Sequence, residues 1–215
     1  DWLAAIGVIS DAGGKSQLSF IRKTAEKYGI QLKDNDPFLM KNKFGEAADM
    51  INSLTIEYDK EGSEKALAIL LNTKTLNELL ENKELRGTFE RVNERIEKII
   101  EKFDKNSEVR GNIFFFDMPE EYSKYSSTIA TKLGLDPEYS GRIIVIGKDI
   151  DEERKRLSIR ANGVDVDLND IIKKIVSEIG GEGGGHEKAV GALIYKEREG
   201  TFRNMLYDFI QNRLS

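Results

Sequence analysis

The chain has 215 residues, of which 39% are hydrophobic and 33% charged, a balance that suits one large or two small globular domains and excludes a disordered tail. Its 33 Lys and Arg against 38 Asp and Glu leave a net charge of −5, so no general basic footprint advertises a nucleic-acid partner. The absence of cysteine excludes disulfides and thiolate sites, no apolar run approaches the roughly 20 residues of a membrane helix, and Asp1-Trp2-Leu3 lacks the basic start of a secretory signal. The expected location is the cytoplasm.

In chain order, apolar residues at helical spacing predict a short helix over 2–9, halted by Ser10-Asp11-Ala12-Gly13-Gly14, and an amphipathic helix over 16–28 ended by Gly29. Helices over 44–58, 63–71 and 76–80 follow. A long helix over about 84–103 carries Phe89, Val92, Ile96, Ile99, Ile100 and Phe103 as one apolar stripe and reads as a connector. After Lys105-Asn106-Ser107 the period changes, and the domain boundary is expected there, with an α/β second half. Short β-rich runs over 113–116, 142–146, 156–160 and 189–195 alternate with helical stretches over 126–133, 168–179 and 201–213. The order β-α-β-β-α-β-α, with a hairpin across 147–151, predicts a mixed sheet covered by helices.

Two features carry chemistry. Gly180-Gly181-Glu182-Gly183-Gly184-Gly185-His186 sets five glycines in six positions before the only histidine, a costly sequence in folding entropy. It reads either as a loop whose bare N–H groups approach an anion, with His186 beside it, or as a flexible turn with a surface histidine. The densest basic run is Arg154, Lys155, Arg156 and Arg160. Arg154, Lys155 and Arg156 read either as steering a nucleic-acid strand toward a cleft or as an exposed strand edge protected by charge, and Lys188 reads either as a point charge for the same anion or, more simply, as a solvated lysine. Phe114, Phe115, Phe116, Tyr122 and Tyr125 present rings for base stacking or for core packing, the latter the simpler reading of the phenylalanines.

The string Gly183-Gly184-Gly185-His186-Glu187-Lys188-Ala189-Val190-Gly191 closely resembles the GGGHxxAAG signature of the DHH-associated domain, with Val190 in place of the second alanine. That domain occurs in RecJ exonucleases, small oligonucleotide phosphodiesterases and alanyl-tRNA synthetase relatives. Upstream, Leu157-Ser158-Ile159-Arg160 resembles the family's S-x-R strand motif, with Ala161 where a serine usually follows. Leu3-Ala4-Ala5-Ile6-Gly7-Val8-Ile9-Ser10-Asp11 is similar to the last motif of the DHH catalytic domain, whose helix ends in a metal-binding aspartate. The combination looks most like archaeal RecJ-like proteins.

The resemblance implies the end of a DHH catalytic domain over 1–82, a linker helix over 83–107 and a DHH-associated nucleic-acid-binding domain over 108–215. It implies Ser158, Arg160, Gly183, Gly184, Gly185 and His186 as phosphate-binding residues, His186 as the candidate catalytic residue and Asp11 as a metal ligand. The N-terminal run with a D-x-D-type motif and the Asp-His-His triplet, which would together hold two Mn²⁺ or Mg²⁺ ions in a complete enzyme, is not in this sequence, and the one histidine belongs to the glycine cluster. The expectation is therefore the substrate-binding C-terminal portion of a metal-dependent single-stranded DNA or RNA exonuclease, inactive alone and binding metal weakly. The alternatives are a non-catalytic replication scaffold with a GINS-type partner and a small-nucleotide phosphodiesterase.

Overall fold

A computed structural model describes residues 1–11, 16–33, 36 and 40–214, and the expected Gly13-Gly14 stop lies outside them. The chain divides into two compact units, 1–95 and 96–215.

The first unit is helical. Helix α1 (Trp2–Ser10) is capped by the Asp1 carboxylate, which accepts the Trp2 N–H, and α2 (Leu18–Lys27) follows. Asn42 caps α3 (Lys43–Asn72) by accepting from Phe44 N–H at 2.8 Å and from Gly45 N–H, and Thr75 caps α4 (Leu76–Leu80). Ile9, Ile21, Phe44, Met50, Leu54, Leu79 and Leu85 form its core, all fully buried. The two helices expected over 44–58 and 63–71 are two arms of α3 that meet at Asp59, whose φ of 51° and ψ of −126° break the helical path. Glycine at position 62 permits the fold-back, since a Cβ there would stand 1.9 Å from the Leu54 carbonyl oxygen.

Helix α5 (Lys83–Asn106) contributes to both units. The two compact units part within it, at Arg95 and Ile96. The reason is Phe103, which stacks on Phe114 at 5.7 Å between centroids and meets Phe116 and Tyr139 edge-on at 5.6 Å, so the last turns of α5 pack with the second unit. Tyr139 donates its hydroxyl to Asp104 at 2.6 Å, and burial together with that bond pushes its phenol above the ordinary range.

The second unit is an α/β fold around a six-stranded mixed sheet: β1 (Glu108–Arg110), β2 (Ile113–Asp117), β3 (Arg142–Asp149), β4 (Arg154–Asn162), β5 (Glu182–His186) and β6 (Ala189–Tyr195). The order is β1-β2-β3-β4-β6-β5, antiparallel except for the β2–β3 pair. Helix α6 (Ser126–Leu135) links β2 to β3, α7 (Leu168–Ile179) links β4 to β5, and α8 (Glu199–Leu214) follows β6. Strand β4 alternates cleanly: Leu157, Ile159 and Ala161 join Ile171, Ile172 and Ile175 of α7 and Phe202, Leu206 and Ile210 of α8 in one core. Arg156, Ser158 and Arg160 therefore lie on the other side.

Lys155, on the core side of β4, is held by Asp117 at 2.7 Å and Glu199 at 2.6 Å. Burial works to lower its pKa, but the hydrogen bonds to both carboxylates outweigh it and the net shift is upward. Arg203 joins the same cluster through Asp117 and Glu108, each at 2.8 Å, and through Glu199. Replacing Lys155 by Ala leaves these carboxylates short of a cation and should cost about 3 kcal/mol in denaturant unfolding. Because the lysine is raised, its contribution is complete at neutral pH and is lost only in alkali. Conversely, Asp59→Gly relieves a positive φ that suits glycine and should stabilise the protein by about 1 kcal/mol in the same measurement.

Candidate phosphate-binding site

The glycine cluster, expected as a loop, is largely an edge strand of the sheet. Gly180 ends α7 in the left-handed conformation at φ 78°, as helix caps commonly do. Residues 182–186 then pair with β6, and Glu187-Lys188 form a two-residue hairpin turn between His186 and Ala189. That turn is anchored twice: Ala161 N–H donates to the Lys188 carbonyl at 3.0 Å, and Leu168 N–H to the Glu187 carbonyl at 2.8 Å. Lys188 itself is engaged, donating to the Val164 and Val166 carbonyls at 3.1 and 3.0 Å and pairing with Glu187.

Close packing explains Gly183, backbone conformation explains Gly184 at φ 159°, and both act at Gly185, whose φ is 155°. A Cβ on Gly185 would stand 2.5 Å from the Ala189 carbonyl oxygen, and one on Gly183 would stand 2.9 Å from the Ile172 side chain. Gly184 is different: a Cβ there would meet only Asn169 and Lys173 of α7, at ordinary distances of 3.5 and 3.6 Å. The Gly185 N–H, which the nest reading offers to an anion, donates instead to Asn169 Oδ1 at 3.0 Å. Asn169 is a residue the sequence did not single out. It lies 16 positions away and is tied to the strand only by the fold.

Register brings the remaining candidates together. Arg160 and His186 both stand opposite Ala189, and Ser158 and Gly184 both stand opposite Gly191. In directly paired positions side chains share a face. The face away from the α7–α8 core thus presents Ser158 and Arg160 on β4 and Ala189 and Gly191 as a floor of small residues on β6, with His186 paired to Ala189 at the edge. At the β3 side α6 closes the row. Gly134 lets it approach, since a Cβ there would stand 2.7 Å from Arg160 Cβ, and Asn162 holds it by donating to the Leu133 and Asp136 carbonyls at 3.2 and 2.6 Å. Gly134 and Asn162 are further positioning residues that the motif alone does not reveal.

Arg160 is half-buried and donates to Thr131 Oγ1 at 3.1 Å and to the Ile159 carbonyl at 3.0 Å. Burial pulls its guanidinium below the ordinary pKa, and among the described residues no carboxylate pairs with it. Two neutral oxygens leave most of its five N–H donors available. His186 is exposed, and its ring makes no hydrogen bond among the described residues. Ala161 faces the core at 7% exposure, on the opposite side of the sheet from Arg160.

Asp11 belongs to the first unit. It caps α1, its N–H bonding to the Gly7 carbonyl, and its side chain is exposed. Among the described residues no three His, Cys, Asp or Glu side chains gather as metal ligands. One carboxylate does not build a metal centre, so these residues by themselves do not fit the two-ion site. No helix among the described residues is long and apolar enough to cross a membrane.

The second unit is an α/β domain with a partly buried arginine beside a glycine-rich hairpin. Residues 111–212 match the family model of the DHHA1 domain, and this region is a DHHA1 domain. The whole chain has the fold of the C-terminal portion of RecJ-type DHH proteins. It is similar to RecJ in complex with Mg²⁺ from Thermus thermophilus, at 18% identity and a TM-score of 0.62, over 98% of this chain and 34% of that one. It is similar to a pGpG-specific phosphodiesterase from Vibrio cholerae, at 15% identity and a TM-score of 0.54, over 77% and 59% of the two chains. CDC45 from Entamoeba histolytica aligns at 10% identity and a TM-score of 0.55, over 78% and 38%. Comparison with curated proteins gives no match. The chain spans about a third of the length of the Thermus RecJ chain.

The packing predicts an order of sensitivity within the glycine strand. Gly185→Ala drives a methyl into the Ala189 carbonyl and should destabilise by about 1–3 kcal/mol, with Gly184→Ala costing less, as thermal melts will report. In Asn169→Ala the Gly185 amide should exchange with solvent faster than in the parent, read by hydrogen exchange.

Proposed function

We propose that this chain is the substrate-binding C-terminal portion of a RecJ-like, metal-dependent single-strand exonuclease, with residues 1–82 as the end of the catalytic domain, 83–107 as a linker and 108–215 as the nucleic-acid-binding domain. The observation that carries this reading is Arg160: a half-buried guanidinium with only neutral partners, beside small residues and next to His186 in register. Such a group favours an anion able to accept several N–H bonds, and a phosphate has the oxygens to do so. Ala189 and Gly191 keep the floor low enough for the anion to approach. Ser158 adds a hydroxyl on the same face, and His186 adds ring donors from the far side.

In this reading the chain grips and orients, and it does not cleave. Fixing the terminal phosphate through Arg160, Ser158 and His186 would hold the scissile bond in one register. Metal-activated water would come from a part of a whole enzyme that supplies the Mn²⁺ or Mg²⁺ ligands, with Asp11 contributing one. A grip on phosphate rather than base tolerates any sequence and suits single strands, whether DNA or RNA. A scaffold that binds a GINS-type partner, and a small-nucleotide phosphodiesterase, are the readings this one competes with.

The test is titration of a short 5′-phosphorylated oligonucleotide against the parent and variants, with thermal melts to exclude unfolding. Arg160→Ala should weaken binding about tenfold to a hundredfold, the loss of charge-assisted hydrogen bonds of about 1.5–3 kcal/mol. Arg160→Lys should recover part of it, keeping the charge without the planar fork. His186→Ala should weaken binding less. Equal binding by all three folded variants would overturn the phosphate grip and put the scaffold first. The isolated chain should show no Mn²⁺-dependent hydrolysis; turnover that vanishes with Asp11→Ala would refute its assignment as inactive alone.

A further inference from the structure

The face that carries Arg160 does not end there. Continuing along β4 by strand alternation, Ser158 is followed by Arg156, which stands opposite Lys148 on β3 and Leu193 on β6. Arg156 is exposed and Lys148 half-exposed, and neither side chain makes a hydrogen bond or ion pair among the described residues. One alternation further, Arg154 stands opposite Tyr195, a residue 46% exposed at the end of β6. Arg154 differs from Arg156 because it is neutralised by Asp151 at 2.6 Å. Lys155, between them, points to the core and is consumed by Asp117 and Glu199. Alternation therefore sorts the basic run into one cation for the ion cluster, one for the hairpin turn and two, Arg156 and Arg160, for the open face. The acid nearest in the same row is Glu182, placed beyond Leu193 on β5.

Arg156 and Arg160 are four residues apart on one strand, about 13 Å at the usual rise. Arg160 is fixed in place by Thr131 and the Ile159 carbonyl, so one phosphate does not serve both. Between them on β4 lies Ser158, opposite the buried Ile146 on β3 and Gly191 on β6, so on the β6 side nothing bulky interrupts the path. Two separated, uncompensated cations joined by a low floor and followed by an exposed ring match an anion whose charges recur along a backbone carrying flat bases. We infer that Arg156 and Lys148 form a second phosphate subsite, with Tyr195 as a stacking platform, and that the ligand is a single-stranded oligonucleotide of several residues rather than a mono- or dinucleotide. This rests on the phosphate grip at Arg160 and adds a direction and a minimum length to it.

The experiment titrates a 5′-phosphorylated dinucleotide and a 5′-phosphorylated decanucleotide against the whole chain and its Arg156→Ala, Tyr195→Ala and Arg160→Ala variants, at several salt concentrations. Arg156→Ala should weaken decanucleotide binding roughly threefold to tenfold and lower its salt slope by about 0.7, the value for one phosphate contact on a single strand. Tyr195→Ala should weaken the decanucleotide without changing that slope. Neither should alter the dinucleotide, and Arg160→Ala should weaken both ligands. If Arg160→Ala weakens both while Arg156→Ala leaves decanucleotide affinity and slope unchanged, the second subsite is wrong and the first stands. If Arg160→Ala weakens neither, the grip itself falls and the extension with it. Arg156 and Tyr195 are surface positions away from the core, so thermal melts of these variants should match the parent.

Discussion

Strand β4 gives its odd-numbered residues to the core and its even-numbered residues to the open side, and the second unit is arranged around that division. Leu157, Ile159 and Ala161 pack against α7 and α8, and Lys155 anchors α8 through Glu199. Ser158 and Arg160 look the other way, toward α6 and the small residues of β6. A strand has a period of two, so a slip of one residue in register would put Arg160 into the apolar core and Ile159 into water. Pairing with β3 on one side and β6 on the other, over eight and seven residue pairs, prevents the slip and fixes the arginine to within a rotamer.

The same strand shows what a protein does with cations it intends to keep and those it leaves open. Lys155 and Arg203 sit among Asp117, Glu199 and Glu108, where each buried charge has an opposite one in hydrogen-bonding reach. Their net upward shifts, against the pull of burial, express that compensation. Arg160 is buried to a comparable degree and has neutral oxygens instead, so burial lowers it with nothing to offset the effect. A desolvated charge without a counter-charge is unfavourable in the free protein. In the proposed phosphate grip an arriving anion would remove that penalty, which would place part of the binding energy in the unliganded fold.

Much of this was legible from residues alone, and the parts that were not share a cause. Periodicity located the helices of the first unit and the apolar strands, because Ile143 to Ile146 and the α5 stripe bear side chains whose spacing reveals a buried face. The S-x-R and glycine-histidine motifs pointed to the residues that register later aligned. Strand β5 was hidden because Gly183, Gly184 and Gly185 have no side chains to alternate, and its identity as a strand comes from pairing with β6. Strand β1 spans only three residues. Asn169 and Gly134 were invisible for another reason: each acts through a contact that only tertiary structure creates, Asn169 with Gly185 and Gly134 with Arg160. The break at Asp59 was legible as the gap between helices expected over 44–58 and 63–71, and the structure adds its cause, the approach of Gly62 to Leu54.

Strand β5 lies at the margin of the sheet, where unpaired backbone groups ordinarily invite a foreign strand. A row of glycines there is pliable and bare, and it has no projecting side chains to obstruct such pairing. The Asn169 amide changes this by occupying the Gly185 N–H from the outside, so the edge offers one donor fewer to another molecule. Its charged neighbour Glu182 opens the strand with an exposed carboxylate. The bond that steadies the hairpin thus also leaves the sheet edge one donor poorer, and both effects depend on one side chain at the first turn of α7.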